Sequence, residues 1–428
     1  MPLKWRPIEA DGDVEWGSSY STPVPKSGSM SQSRQMLASL ICALLGVGLL
    51  MVYSASMTAR PSDAEEFYLS KQALFLLFGL GLGGVASVLP ARFWKQSAPW
   101  VFGVGLLLLL MVLIPGIGTQ VKGSRRWLRL AGVSLQPSEF MKVTTTLLLA
   151  WGLERHWHRR HEFVRGTVVL LAPVAVAVGC VMIEPDLGAS VFLSMTVLLA
   201  LFIRGWPLGR LVAVGAVLAP LASVWLVLKP YQLRRLQGFL ATWTDFEQAP
   251  YQVQQSLTTL GVGGLAGTGL GEGTQKLSFL PEANTDFVFS VVGEELGLVG
   301  TLGISLLWLS LLWVGARVIR PLQRDSFEYT VGFVLLCQLV AQAATNVAVT
   351  TAMLPPKGIA HPLISYGGSS LCTSLLSMGI LLSVSRIPEG DLSRARMHSP
   401  HGGPLPTPSP PRSMSAPQVD RLRGRGMV

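Results

Sequence analysis

The sequence predicts an all-α integral membrane protein with about ten transmembrane helices, and two observations support this fold class. Half of the 428 residues are hydrophobic, only 14% are charged, and the mean hydropathy is +0.46. A soluble chain of this length needs more charge. The apolar residues also form runs of about 17 to 25, the length that crosses a hydrocarbon core of roughly 30 Å.

Apolar runs between charged residues define the predicted spans in order. The first run begins near Met36, after a polar segment rich in Pro, Ser and Gly, and no small-residue cleavage site closes it. It is therefore expected to be a retained span, not a signal peptide. The predicted spans are 36–53, 72–90, 98–115, 138–153, 166–183, 188–203, 211–228, 286–316, 327–353 and 364–385.

Basic residues predict the orientation of these spans. With residue 1 in the cytoplasm, the cytoplasmic segments hold 22 Lys and Arg and the outer segments hold 11. This bias predicts that both termini are cytoplasmic. The net charge of +10 is spread over short loops and two tails, so we interpret it as a topology signal and expect no nucleic-acid partner.

The remaining segments complete the domain organisation. Residues 36–385 form the predicted transmembrane domain, and residues 229–285 form a large extracytoplasmic loop between its seventh and eighth helices. A loop of this size is usually functional. The cytoplasmic tails, 1–35 and the Pro- and Arg-rich 386–428, are expected to be disordered. Docking of a tail to a cytoplasmic partner or to anionic lipid remains an alternative.

Charges in or beside membrane spans are costly, so each is a candidate functional residue. Glu139 and Lys142 lie three residues apart at the start of the fourth span, where they share a helix face. They are expected to form an ion pair that serves either structure or function. Arg125 and Arg126 lie in the preceding outer segment, and guanidinium groups bind phosphate oxygens in a bidentate manner.

Two acidic segments carry further candidates. Glu184 and Asp186 flank Pro185 in a short outer turn, which fits either ordinary turn chemistry or cation coordination. Asp286 begins the eighth span, where a carboxylate can cap the helix. A partly desolvated carboxylate also has raised basicity, which suits a general base. Glu294 and Glu295 lie two turns deeper and are expected to pair with buried groups on neighbouring helices.

The glycines from Gly261 onward follow no strand, so a nucleotide-binding loop is not expected there, and flexible or tightly packed backbone is the better interpretation. The segment before the last span combines Lys357 with small and hydroxyl residues that include Ser369, which permit close helix approach. His361 is expected to be a surface residue or a buried residue with satisfied hydrogen bonds, more than a ligand.

Five motifs together resemble the SEDS family (shape, elongation, division and sporulation) of bacterial cell-wall polymerases. They are GSRRW from Gly123, QPSEFMK from Gln136, EPDLG from Glu184, FLPEANTDFVFSVVGEELG from Phe279 and PPKGIAHPLISYGGSS from Pro355. The resemblance covers residues 36–388, and the IPGIG before the second outer loop is most similar to the division branch.

The resemblance implies a peptidoglycan glycosyltransferase that polymerises lipid II beside a class B penicillin-binding protein and other division proteins at the septum. It places the essential carboxylate on Asp286 and the functional Trp, Glu and Lys on Trp127, Glu139 and Lys142. Stabilisation of the pyrophosphate is expected from Arg125, Arg126, Lys142, Lys276 or Lys357. Assistance by a divalent cation, Mg²⁺ or Mn²⁺, stays open, and no other cofactor is expected.

The chain departs from the family pattern at two positions. Ala352 stands where the family commonly has Gly, and His361 stands where an uncharged residue is usual. Two other functions also remain possible on the sequence: a lipid II flippase, and a non-enzymatic scaffold of the division machinery. A flippase needs a polar path across the bilayer, whereas the polar residues here concentrate toward one face.

Overall fold

The computed structural model describes residues 27–386, except for 57–63, 122, 131–132, 160–161, 208, 217–219, 221–229 and 278. Most of both predicted tails and most of the predicted seventh span, 211–228, lie outside the described residues. Residues 27–35 are helical, although they belong to the predicted N-terminal tail. The helices are α1 (Ser27–Ser56), α2 (Ala64–Val88), α3 (Ala91–Leu113), α4 (Pro137–Arg155), α5 (Val169–Ile183), α6 (Leu187–Ile203), α7 (Pro230–Ala241), α8 (Tyr251–Gly263), α9 (Val288–Ile319), α10 (Phe327–Thr350) and α11 (Gly368–Val384).

Nine of these helices match predicted spans in order: α1 to α6 and α9 to α11. In the described part of the chain, six helices are long and apolar enough to cross a membrane, and α6 and α11 are shorter apolar helices. Helix α4 is less apolar because Glu139, Lys142 and a run of threonines lie in it. These observations confirm a multi-pass helical membrane protein.

A small antiparallel sheet was not expected from the sequence. Strands β1 (Gly118–Val121), β2 (Ser124–Leu130) and β3 (Val133–Leu135) connect α3 to α4, in the order β1-β2-β3. The strands are too short for an alternating apolar pattern to distinguish them from a polar loop. A bulge between Thr119 and Gln120 places Gln120 opposite Arg125 and Thr119 opposite Trp127, so Arg126 is the extra residue on β2.

Glycines allow α2 and α11 to pack at backbone contact. A Cβ at Gly83 would lie 2.7 Å from the Leu375 carbonyl oxygen, and a Cβ at Gly379 would collide with the Gly83 carbonyl. Close packing through small residues stabilises helix pairs in lipid, where burial of apolar surface gives no advantage. At one end of the bundle, the Arg34 guanidinium of α1 donates to the carbonyl of Ser385, just after α11.

The glycine-rich segment packs closely against the start of α9. The amides of Thr268 and Gly269 donate to the carbonyls of Glu294 (2.9 Å) and Glu295 (3.0 Å). Gly297 interrupts α9 with a φ of 65°, which a glycine adopts without strain. The interpretation of this segment as tightly packed backbone is therefore confirmed.

Candidate active site

The helix ends and loops at one end of the bundle surround a cavity of about 1030 Å³. Its walls come from β2, the start of α4, the turn between α5 and α6, the segment before α9 and the segment between α10 and α11. The sequence motifs thus meet because antiparallel helices return them to the same end. Among the predicted site residues, the lining includes Asp286, Arg126, Trp127, Glu139, Lys142, Lys357 and Ser369.

The backbone that carries Asp286 is held by hydrogen bonds from α10 and from the loop after it. Three consecutive carbonyls, from Asn284 to Asp286, each accept a hydrogen bond. Such bonds fix the position of a segment that lies outside regular secondary structure. The donors are the Tyr366 amide to Asn284 (2.8 Å), the Ser365 hydroxyl to Thr285, and the Asn346 side-chain amide to Asp286 (2.7 Å).

The bulge on β2 explains why two consecutive residues, Arg126 and Trp127, both line the cavity. Neighbouring strand residues ordinarily point to opposite faces, but an extra residue changes this alternation. Arg126 Nη1 lies 3.3 Å from Asp186 Oδ2. That oxygen also accepts from Gln136 Nε2 (3.2 Å), while the other carboxylate oxygen of Asp186 caps α6 by accepting from Ala189 N (3.1 Å).

Glu139 and Lys142 form the expected ion pair, with Lys142 Nζ 2.7 Å from Glu139 Oε2. Lys142 also donates to Gln342 Oε1 (2.7 Å), and Gln342 Nε2 donates to the Ala360 carbonyl (3.1 Å). The pair therefore connects α4 to α10 and to the loop after α10. Both members line the cavity, so a structural contact and a role in binding are compatible.

Gly358 lies beside Asp286, and Lys357 lines the same cavity. A Cβ added at Gly358 would lie 3.1 Å from Asp286 Oδ2, so this glycine leaves the room that the carboxylate occupies. Burial, together with the positive charge of Arg235, lowers the pKa of Lys357 to about 8. Arg235 lines the same cavity and donates to the Pro356 carbonyl at 3.5 Å.

Glu184 lies buried in the turn between α5 and α6, with 1% of its surface exposed. Burial, reinforced by the negative charge of Asp186, raises the pKa of Glu184 to about 8, so its carboxyl group is mostly protonated at neutral pH. In the described residues no group of three or more His, Cys, Asp or Glu side chains is placed to hold a metal ion. Assistance by Mg²⁺ or Mn²⁺ stays a prediction.

Two of the predicted binding residues do not line the cavity. Lys276 is buried, with its Nζ 2.6 Å from Glu295 Oε1, and it also donates to Ser54 Oγ of α1 (2.9 Å). This contact confirms the expected pairing of Glu295, and it assigns Lys276 a structural position. Arg125 is the second of these residues; it lies opposite Gln120 in the sheet, next to Arg126, which the bulge turns toward the cavity.

The Ser369 hydroxyl reaches the cavity but binds backbone, since it accepts from the Gln136 amide and donates to the Ser134 carbonyl, each at 3.0 Å. Three further residues of the site were not predicted from the sequence: Gln342, Asn346 and Arg235. Gln342 and Asn346 are spaced by one helical turn in a predicted span. Amides at that spacing inside an apolar run were the available signal.

Fold and site together define a multi-pass membrane protein with a charged cavity at one end of its helix bundle. The family described as "Cell cycle protein" (FTSW_RODA_SPOVE) matches residues 35–389. The chain therefore belongs to this family, which confirms the resemblance found in its motifs.

Curated relatives and solved structures agree with this membership. The chain is 39% identical over 340 residues to the "Probable peptidoglycan glycosyltransferase FtsW" of Geobacter sp. (strain M18), covering 79% of this chain and 92% of the relative. It is 41% identical over 358 residues to the protein of the same name from Coxiella burnetii, covering 81% and 95%. A solved chain from "a peptidoglycan synthase complex" matches with a TM-score of 0.67 and 28% identity, covering 82% of this chain and 97% of that one. Thermus thermophilus RodA matches with a TM-score of 0.58 and 26% identity, covering 82% and 95%.

Proposed function

We propose that this chain is a peptidoglycan glycosyltransferase that polymerises lipid II into glycan strands during bacterial cell division, with Asp286 as the general base. The observation that supports this most is that one cavity contains Asp286 together with the cationic groups of Arg126, Lys142, Arg235 and Lys357. The relatives from Geobacter and Coxiella carry the same activity in their names.

The chemistry needs both kinds of group. A sugar hydroxyl of one lipid-linked molecule attacks the anomeric carbon of the other, and a carbon–oxygen bond to the leaving lipid pyrophosphate breaks. Asp286 accepts the proton of the attacking hydroxyl. The cations stabilise the negative charge that develops on the pyrophosphate, an effect that is largest where water is excluded.

The transport alternative, a lipid II flippase, receives less support from this geometry. The cavity-lining residues come from helix ends and loops on one end of the bundle, whereas a path for a headgroup requires polar groups along the whole length. A scaffold without activity offers no reason for a charged cavity. Surface chemistry at one end of the bundle fits the arrangement better.

We further infer the cellular setting from the same family relationship. The partner is a class B penicillin-binding protein that crosslinks the glycan product, with other division proteins nearby. The solved complex that resembles this chain couples polymerisation to crosslinking. We propose that the site lies at the division septum, on the outer side of the inner membrane, with both termini in the cytoplasm.

The test uses purified protein with its penicillin-binding partner and lipid II, with glycan polymer resolved on gels. Replacement of Asp286 by Asn should lower polymerisation by about two to four orders of magnitude, the usual cost of losing a general base. The N-cap of α9 is Phe287, and no side chain caps this helix end, so replacing the Asp286 carboxylate by the similarly sized Asn amide should leave folding and partner binding intact. Polymerisation by Asp286→Asn at nearly the parental rate would exclude Asp286 as the base and favour transport or scaffolding.

A further inference from the structure

His361 is a buried histidine next to the candidate active site, and it does not line the cavity. It is 1% exposed and lies in the loop between α10 and α11. Its ring is stacked on Phe289, with centroids 6.0 Å apart and an interplanar angle of 5°.

The hydrogen bonds of His361 determine its protonation. Trp308 Nε1 donates to His361 Nε2 at 2.8 Å. An indole nitrogen is only a donor, so His361 Nε2 is an unprotonated acceptor. His361 Nδ1 lies 3.0 Å from Asn346 Oδ1, an acceptor, so the ring proton is on Nδ1. The imidazole is thus neutral, in the tautomer that donates to Asn346.

The next bonds lead to the catalytic segment. The side-chain oxygen of Asn346 accepts from His361, so the side-chain nitrogen of Asn346 points away from the imidazole. This nitrogen donates to the carbonyls of Asp286 (2.7 Å) and Ile359 (2.8 Å). The backbone amide of His361 also donates to Ser365 Oγ (2.8 Å), whose hydroxyl donates to the carbonyl that precedes Asp286. His361 therefore binds Asn346 and Ser365, the two residues that donate to the Asp286 and Thr285 carbonyls.

We propose that His361 is a positioning residue for Asp286, acting through the Asn346 amide as a neutral Nδ1–H donor. This inference rests on the proposed function. Loss of the His361–Asn346 bond leaves the buried Asn346 oxygen without that donor, and the amide no longer has a fixed orientation toward the Asp286 carbonyl. The carboxylate then samples positions away from the attacking hydroxyl.

Two substitutions separate the two ring nitrogens. His361→Asn places an amide nitrogen near the Nδ1 position and keeps the donor to Asn346, but loses the contact with Trp308. His361→Gln places an amide oxygen near the Nε2 position and keeps an acceptor for Trp308, but loses the donor to Asn346. We expect His361→Gln to lower kcat about tenfold at unchanged KM, since a 1 Å misplacement can cost about 10²-fold, and His361→Asn to stay close to parental.

Thermal unfolding of both variants in detergent measures any change in packing. Parental kcat in His361→Gln, or losses in both variants that follow their loss of stability, would overturn the inference. A readout that does not depend on activity is ¹⁵N NMR of histidine-labelled protein, where we expect a protonated Nδ1 and an unprotonated Nε2. An Nε2–H tautomer would also overturn the inference. If the parental protein itself fails to polymerise lipid II, it is the proposed function that fails.

Discussion

The cationic side chains of the cavity differ in their acidic partners. Arg126 contacts Asp186 and Lys142 contacts Glu139, each within 3.3 Å. These two charges are partly compensated before a substrate arrives. Lys357 is half-buried, and burial with Arg235 lowers its pKa to about 8. The charge of Lys357 therefore depends on pH around pH 8.

This gives a prediction for pH dependence. The charged form of Lys357 dominates below about pH 8 and is lost above it. If the ammonium binds the pyrophosphate, KM for lipid II should rise about tenfold between pH 7 and pH 9, as the protonated fraction falls. Lys357→Arg keeps its charge over this range, so its KM should stay flat. Lys95→Arg, at an exposed site, is the control, and an identical rise in the parental and Lys357→Arg proteins would contradict the assignment.

A second residue-scale prediction concerns the Glu139–Lys142 pair. Single neutral substitutions should each impair polymerisation. Exchanging the two charges should not restore it, because Gln342 Oε1 faces position 142 while Gln342 Nε2 is held by the Ala360 carbonyl. A carboxylate at position 142 would then meet an oxygen.

The matched control is the Lys95–Glu154 pair, whose members are 2.9 Å apart and much more exposed. Exchange of these charges should leave activity near parental, since exposed pairs contribute only about 0.2 to 1 kcal/mol. Recovery of polymerisation by the Glu139–Lys142 exchange would instead identify that pair as a purely structural contact. Polymer yield and thermal stability are measured for every variant.

At the scale of elements, the sequence predicted the spans well because each is a long apolar run bounded by charges. It could not predict β1 to β3, whose pairing depends on side-chain and backbone contacts among a few polar residues. It also gave no sign of the break at Gly297, because a glycine inside an apolar run is compatible with a continuous helix. These features arise from tertiary packing against neighbouring segments.

The end of α10 explains one departure from the family pattern. Ala352 has a φ of 55°, and the Ala352 and Met353 amides donate to the Val349 (3.1 Å) and Ala348 (2.7 Å) carbonyls. These two bonds form a Schellman motif, in which glycine is the usual residue at the left-handed position. A glycine at position 352, as the family resemblance implies, would adopt this conformation without strain.

Ala352→Gly should raise the free energy of unfolding by about 0.5 to 1 kcal/mol, because relief of the left-handed strain exceeds the entropy that glycine adds to the unfolded chain. Ala341→Gly, in the middle of α10, is the control and should lower it by about 1 kcal/mol. Denaturant unfolding in detergent measures both. If Ala352→Gly lost as much stability as Ala341→Gly, the left-handed conformation of Ala352 would not be strained.

At the scale of the whole molecule, the sequence identified most of the site because its motifs follow helix ends that return to one end of the bundle. It could not separate Lys357, which reaches the cavity, from Lys276, which pairs with Glu295. Both are basic residues in predicted outer segments. Only the path of the backbone decides which ammonium faces the cavity, and that path depends on contacts between distant segments such as α1 and α9.

The last prediction concerns the orientation of the molecule in the membrane. The twofold excess of Lys and Arg in the segments assigned to the cytoplasm predicts that the loop of residues 229–285 is extracytoplasmic. Thr244 lies in this loop between α7 and α8 and is exposed beside the exposed polar residues Asp245 and Glu247, so a thiol there is accessible. We expect Thr244→Cys to react with a membrane-impermeant maleimide in cells whose outer membrane alone is permeabilised.

The labelling is done in a Cys42→Ala background, because the native Cys42 thiol is exposed on α1. A cysteine in place of Gln323, in the loop between α9 and α10 at the opposite end of the bundle, is the matched control. It should react only after the inner membrane is also opened. Since α9 joins the two loops in a single pass, the two sites must give opposite results. Reaction at position 244 only after the inner membrane is opened would invert the topology and place the cavity on the cytoplasmic side, where it could not build an external wall.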